Sequence, residues 1–166
     1  AFVLKTTNPA LSHDARAESY GELGELLLGA RFSGEAESCY LHAQALAPDD
    51  ARWPYRLGHV YLVKADRVKA VAAFERALEL SPADLATLVW LGETYLKGGD
   101  YQQAEKQYRQ LLDVYPDSSY ALQAQYSLAW TLFDEKDYQA ALDLFTAFFK
   151  KNPAHELAED ANFKIG

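Results

Sequence analysis

Seven positions of this chain return after a fixed interval. Leu57, Gly58, Tyr61, Ala70, Phe74, Ala77 and Pro82 are followed 34 residues later by Leu91, Gly92, Tyr95, Ala104, Tyr108, Leu111 and Pro116. An interval of that length between similar residues marks a repeat architecture, in which each pair of helices buries its apolar face only by stacking on its neighbours. Function is therefore sought on an extended binding surface rather than in a catalytic pocket.

Upstream the same ladder reads Tyr20, Leu23, Gly24, Leu27, Ala36, Tyr40, Ala43 and Pro48. Downstream it reads Leu128, Ala129, Leu132, Ala141, Phe145, Phe148 and Pro153, now 37 residues beyond the previous unit, so three residues have been inserted. Ile165 and Gly166 open a fifth copy, again 37 residues on. Small residues at Gly24, Gly58, Gly92, Ala36, Ala70 and Ala104 let two helix axes approach, and the Leu, Tyr and Phe positions fill the space between them. Turn signals fall midway through each unit at Ser33-Gly34, Ala65-Asp66, Gly98-Gly99-Asp100 and Lys136-Asp137. Prolines 48, 82, 116 and 153 mark the unit ends. Ser81, Pro82 and Asp84 read as an N-cap, a first-turn proline and a capping-box acid, which predicts a helix starting there.

The W-x2-L-G-x2-Y, A-x3-F, P pattern carried by these residues resembles the tetratricopeptide repeat (TPR) from about Ala17 to the end of the chain. The resemblance implies an all-α, right-handed superhelical solenoid of antiparallel helix pairs, with four complete pairs and one further helix. Repeats are expected at about 17–50, 51–84, 85–118 and 122–155, with a truncated fifth at 159–166 and an N-terminal extension over 1–16. Within that extension Phe2, Val3 and Leu4 are candidates to fold back over the first repeat, and Asn8-Pro9 to cap a short helix. Met is absent, even at position 1. The natural start is thus expected upstream, and a chain stopping inside a repeat is expected to continue.

Charge and composition narrow the partner class. The formal net charge is -8, which argues against a nucleic-acid backbone as partner, since no positive surface would release its counterions. The imbalance is local: Asp14, Glu18, Glu22, Glu25, Glu35, Glu37, Asp49 and Asp50 face only Lys5, Arg16 and Arg31 within residues 1–50, so an acidic first repeat could attract a basic partner segment. No stretch approaches the roughly 18 to 20 apolar residues that span a bilayer, so no direct membrane insertion is expected. The single Cys39 excludes an intramolecular disulfide and a cysteine-rich zinc site.

Catalytic patterns are missing from the sequence. His13, His42, His59 and His155 are widely spread, and none stands in H-E-x-x-H or another short metal-ligand spacing. Gly29 and Gly34 have the separation of a phosphate-binding loop, but Glu35 and Ala36 stand where Lys and Ser or Thr are required. No serine lies in a G-x-S-x-G elbow. The expectation is a non-catalytic protein without metal or cofactor.

The resemblance further implies that the first helix of each unit lines a concave, partner-binding face. Carried over residue by residue, this face holds Glu18, Glu22 and Glu25 in repeat one; Arg52, Arg56 and His59 in repeat two; Ala86, Trp90 and Glu93 in repeat three; and Gln123, Ser127 and Trp130 in repeat four. An adjacent register adds Tyr55, Val89 and Tyr126. The stripe would run from acidic through basic to aromatic, suiting a peptide or helix with a charged and an apolar end. Trp90 and Trp130 stand open between groove anchor and packing filler, and Trp53 reads as packing. The chaperone-tail clamp known in this family needs Lys and Asn where Gly21 and Glu25 stand, so a C-terminal carboxylate is not the expected ligand.

The segments Tyr115-Pro116-Asp117-Ser118-Ser119-Tyr120-Ala121, Ala124 to Ala129 and Asp137-Tyr138-Gln139-Ala140-Ala141, echoed by Asn152-Pro153 and by Ala158 to Ala161, resemble the longer repeat of bacterial envelope proteins. The closest in kind are the Tol-Pal system coordinator and the repeat lipoproteins of outer-membrane assembly. That resemblance covers about the last 55 residues. It implies a periplasmic scaffold in envelope or secretion assembly, with a cytoplasmic adaptor or regulatory module of an enzyme as the alternative. A third reading is self-assembly, in which Phe163 and Ile165 of the terminal helix stack on a second copy as a homo-oligomer.

Overall fold

The computed structural model describes residues 11–151. Over them lie eight helices: α1 (His13–Gly29), α2 (Ser33–Leu46), α3 (Arg52–Val63), α4 (Arg67–Leu80), α5 (Leu85–Lys97), α6 (Tyr101–Val114), α7 (Ala121–Asp134) and α8 (Tyr138–Lys151). Short turns reverse the chain after each helix, and the result is the expected all-α solenoid of paired antiparallel helices. The described residues divide into two compact units, one up to Thr87 and one from Leu88. Phe2 to Leu4, Asn8-Pro9, Pro153, the truncated repeat and the Phe163 and Ile165 edge lie outside the described residues.

Each pair reverses through the same device. The backbone N–H groups of Phe32, Asp66, Asp100 and Asp137 donate to the carbonyls of Leu27, Tyr61, Tyr95 and Leu132 at 2.8, 2.9, 3.0 and 2.9 Å. The residue before each donor sits in the left-handed region: Arg31 at φ 67°, Ala65 at 56°, Gly99 at 78° and Lys136 at 72°. This is the Schellman closure of a helix C-terminus, and it satisfies carbonyls that the last turn leaves open. The aspartate after the turn then starts the next helix in two of the pairs, the Asp66 and Asp137 carboxylates accepting from the N–H of Lys69 and Ala140 at 3.2 Å each.

Two boundary expectations are corrected. Ser33 and Gly34 are not a turn but the first residues of α2. The reversal is made by Arg31, which holds the register of Ala65 and Gly99, because helix-end hydrogen bonding fixes the left-handed seat whatever residue fills it. Ser81 does not start a helix either: it closes α4, its N–H donating to the Ala77 carbonyl at 2.8 Å. Asp84 starts α5 instead, accepting from the Ala86 N–H at 3.2 Å and from the Thr87 hydroxyl at 2.7 Å. The inserted residues of the longer unit fall in the loop between α6 and α7.

The repeated ladder is the core. In the first unit Ala36, Tyr40, Leu57, Ala70, Phe74 and Ala77 are buried. In the second Leu91, Ala104, Tyr108, Leu111, Leu128, Phe145 and Phe148 are. Full burial of one such large side chain contributes about 1.5–3 kcal/mol. The ladder glycines are what let these rings in: a Cβ on Gly58 would stand 2.4 Å from Phe74 Cε1, and one on Gly92 2.7 Å from Tyr108 Cε1.

Candidate functional site

In the first unit, α1 and α3 set the predicted acidic and basic residues against each other. Glu18 and Arg52 hold the same register one repeat apart and form an ion pair at 2.5 Å. Arg52 also reaches Asp50 at 2.6 Å, and Arg56 reaches Glu25 at 3.5 Å. The Asp50 and Glu18 hydrogen bonds raise the affinity of the Arg52 guanidinium for its proton, and the same Arg52 contact pulls the Asp50 carboxyl below its usual range. These groups are substantially exposed, so each pair contributes no more than about 1 kcal/mol to stability. The acidic and basic sets lie side by side on adjacent helices, and two of the three glutamates are paired with the two arginines. Glu22 is the exception, with no hydrogen bond or ion pair among the described residues.

Three openings line this face of the first unit, all sharing Arg52. The smallest, about 170 Å³, is bounded by Glu18, Gly21, Glu22, Glu25, Tyr40, Arg52, Trp53 and Arg56. A larger cleft of about 480 Å³ continues past Glu18, Arg52 and Trp53 to Asp14, Asp49 and Asp50. The third, about 350 Å³, lies toward Tyr55, Asp84 and Ala86. Trp53 enters the floor because position 21 is glycine: a Cβ there would meet Trp53 Cζ3 at 2.5 Å. Arg52 lies 4.9 Å over the Trp53 ring. Tyr40 comes up from α2, its ring end 2.9 Å from where a Gly24 Cβ would stand. Both are buried, and neither the Tyr40 hydroxyl nor the Trp53 Nε1 has a hydrogen-bond partner.

Tyr55 and His59 lie against the hairpin rather than standing free. Their rings meet edge-on at 4.6 Å, and each approaches Phe74 of α4, at 6.1 and 5.4 Å. Burial, with the nearby Arg56 charge, holds the His59 imidazole below its ordinary value.

The second unit holds the other predicted residues. Gln123 Nε2 donates to Glu93 Oε1 at 2.9 Å, tying α7 to α5, and Lys97 stands 3.9 Å from the same carboxylate. Tyr126 and Trp130 join an aromatic cluster with α8, Tyr126 lying 6.0 Å from Phe145 and 5.9 Å from Phe148, and Trp130 5.3 Å from Phe145. Both remain half-buried, as do Trp90, Ala86 and Ser127, so each keeps an open face besides its packing contacts. Val89 is a correction: at 2% exposure it is core and presents nothing to a partner. Tyr55 and Tyr126, which share its register, also pack against the second helix of their own pair, at Phe74 and at Phe145 and Phe148.

Sequence reasoning missed Tyr40 as a site residue and read Trp53 only as packing; the exchange of a bulky residue for glycine at position 21 was the available signal. Cys39 is buried, and that burial pushes its thiol up, away from reactivity. Among the described residues no group of three or more His, Cys, Asp or Glu is placed to hold a metal ion, and no helix is long and apolar enough to cross a membrane.

Comparison with known proteins fits this geometry. Three family models, each described as tetratricopeptide repeat, match residues 22–85, 64–126 and 123–155, and so run without a break along the eight helices from α1 to α8. The chain is built of tetratricopeptide repeats. These TPR units are 28% identical over 115 residues to Superkiller protein 3 of Saccharomyces cerevisiae, covering 69% of this chain but 8% of that protein. Among solved TPR structures, YrrB, described as having an unusual peptide-binding site, matches with a TM-score of 0.76 at 20% identity over 90% of this chain and 79% of its own. The first TPR of Spaghetti, bound to the HSP90 peptide SRMEEVD, matches with a TM-score of 0.64 at 18% identity over 71% of this chain and 91% of its own. These likenesses show the TPR family and nothing finer.

Proposed function

We propose that this TPR chain is a non-catalytic scaffold that binds a polypeptide segment of another protein along the first-helix face of its repeats. The observation that carries the reading is the run of three clefts in the first unit, lined by charged and aromatic side chains and floored by two buried polar groups without partners. Peptide binding by YrrB and by the first TPR of Spaghetti, on the same fold, supports it. A pull-down from the native source, compared between the wild type and a variant with Tyr55→Ala and Tyr126→Ala, tests it. Specific partners should be lost from the variant, and equal recovery counts against the groove. We further propose a role in bacterial envelope or secretion assembly, supported by the 37-residue units of the last third. Fractionation of cells expressing the native gene tests this; recovery in the cytosol alone favours the adaptor alternative.

A further inference from the structure

We propose that the smallest opening of the first unit is a subsite for a lysine or arginine side chain, carried by an extended basic segment of a partner protein. The inference rests on the peptide-binding reading above and names the chemistry of the partner at one place in the groove. Its first support is charge. The two adjoining clefts are lined by six carboxylates, Asp14, Glu18, Glu22, Glu25, Asp49 and Asp50, against two cations, Arg52 and Arg56. Both cations are already engaged, Arg52 with Glu18 and Asp50 and Arg56 with Glu25. Asp14, Glu22 and Asp49 have no hydrogen-bond or ion-pair partner among the described residues, so the lining is short of positive charge and a cation from outside would complete it.

The second support is independent of charge. Tyr40 is 1% exposed and Trp53 4% exposed, yet the Tyr40 hydroxyl and the Trp53 Nε1 are without partners while both residues border the opening. A buried polar group left unmade costs about 1–3 kcal/mol, so a ligand atom that reaches the Tyr40 hydroxyl gains by satisfying it. The Tyr40 carbon that bears the hydroxyl, Cζ, lies 2.9 Å from where a Gly24 Cβ would stand, which sets that end of the ring against α1, the helix that carries Glu22 and Glu25. Phenolic oxygen accepts as well as donates, whereas an indole N–H only donates. A partner ammonium or guanidinium would donate to Glu22 and to the Tyr40 oxygen. An acidic segment would leave Glu22 and its neighbours opposed by like charge.

Fluorescence anisotropy decides the matter, with a labelled nonapeptide carrying Lys at three alternate positions among Ala and Ser, and versions with Arg, Gln or Glu at those positions. The Lys or Arg probe should bind at least tenfold more tightly than the Gln probe, with the Glu probe weakest. Glu22→Gln should weaken the basic probe about fivefold or more, and Tyr40→Phe about two- to fivefold, with unchanged far-UV circular dichroism for both. Basic binding that is indifferent to both substitutions but lost in Tyr55→Ala overturns the subsite and leaves the groove reading standing. Preference for the Glu probe, or no binding of any probe to the wild type, overturns the proposal, while the pull-down with Tyr55→Ala and Tyr126→Ala judges the groove separately.

Discussion

Adding one methyl group at Gly58 should weaken the fold that adding one at Gly34 strengthens. A Cβ at position 58 would stand 2.4 Å from Phe74 Cε1 and 2.7 Å from both Cδ1 and Cζ, against the roughly 3.5–4.0 Å of a relaxed carbon contact. The overlap is thus about 1 Å on three ring atoms. Phe74 is 0% exposed and is flanked by the rings of Tyr55 and His59, so it has no empty space to swing into. Overpacking of this kind costs about 1–3 kcal/mol, and the upper end applies to a ring hemmed in on several sides. Alanine returns about 1 kcal/mol through its better helix propensity, which leaves a net loss of about 2 kcal/mol. Gly34, in the first turn of α2, has nothing within 4 Å of its Cβ position. Only the propensity gain remains there, so Gly34→Ala should stabilise by about 0.5 kcal/mol or more. Urea denaturation followed by far-UV circular dichroism reads both. A Gly58→Ala protein as stable as the wild type would refute the claim that the glycine is there for the ring, and Phe74→Leu added to Gly58→Ala should recover part of the loss as a non-additive coupling.

The left-handed turns give a second stability test: Ala65→Gly and Lys136→Gly should each stabilise by about 0.5–1 kcal/mol in denaturant titrations, relief of the left-handed penalty exceeding glycine's entropic cost. Arg52→Ala should change stability by no more than about 2 kcal/mol, because its two ion pairs are exposed; a larger loss in the same titration would mean that the Glu18–Arg52–Asp50 cluster is a structural clamp. Tyr40→Phe should be neutral or stabilising in thermal melts, since it removes a buried hydroxyl that has no partner. The native state binds a proton at His59 less readily than the unfolded chain does, so its contribution to stability is full above about pH 6.5 and falls as pH drops through the lower native value. His59→Gln should flatten stability between about pH 7 and pH 5, and an unchanged slope would show that His59 does not couple to folding.

Most of the fold was legible because a solenoid writes its packing into a period. Phe74 and Tyr108 occupy one register, each meets the glycine of the paired helix, and nothing beyond that pair is needed to infer a helical hairpin. Arg31 was not legible, because the sequence cue for a left-handed seat is glycine and the flanking ones, Gly29 and Gly34, stand two residues too early and three too late. Only the hydrogen bonds of the closing turn, from Phe32 and Arg31 to Leu27 and Leu28, reveal which residue bears the strain.

Side-chain roles on the groove face were less legible than the helices that carry them, and the reason is geometric. A register names which residues follow one another around the solenoid, and that much correctly sets Glu18 beside Arg52. It does not say how a long side chain leans. Arg56 shares a register with Glu22, yet it pairs with Glu25 and leaves Glu22 alone, because arginine reach spans a full helical turn. An unpaired carboxylate beside two unpartnered buried donors is the outcome, and no reading of the repeat as a one-dimensional pattern would have isolated it. The same limit applies to Val89: it shares the register of Tyr55, yet its smaller side chain is buried where the longer Tyr55 ring stays half-exposed. In the proposed subsite, selectivity comes from departures from the repeat at Gly21 and Glu22, set around Tyr40, which the repeat itself supplies.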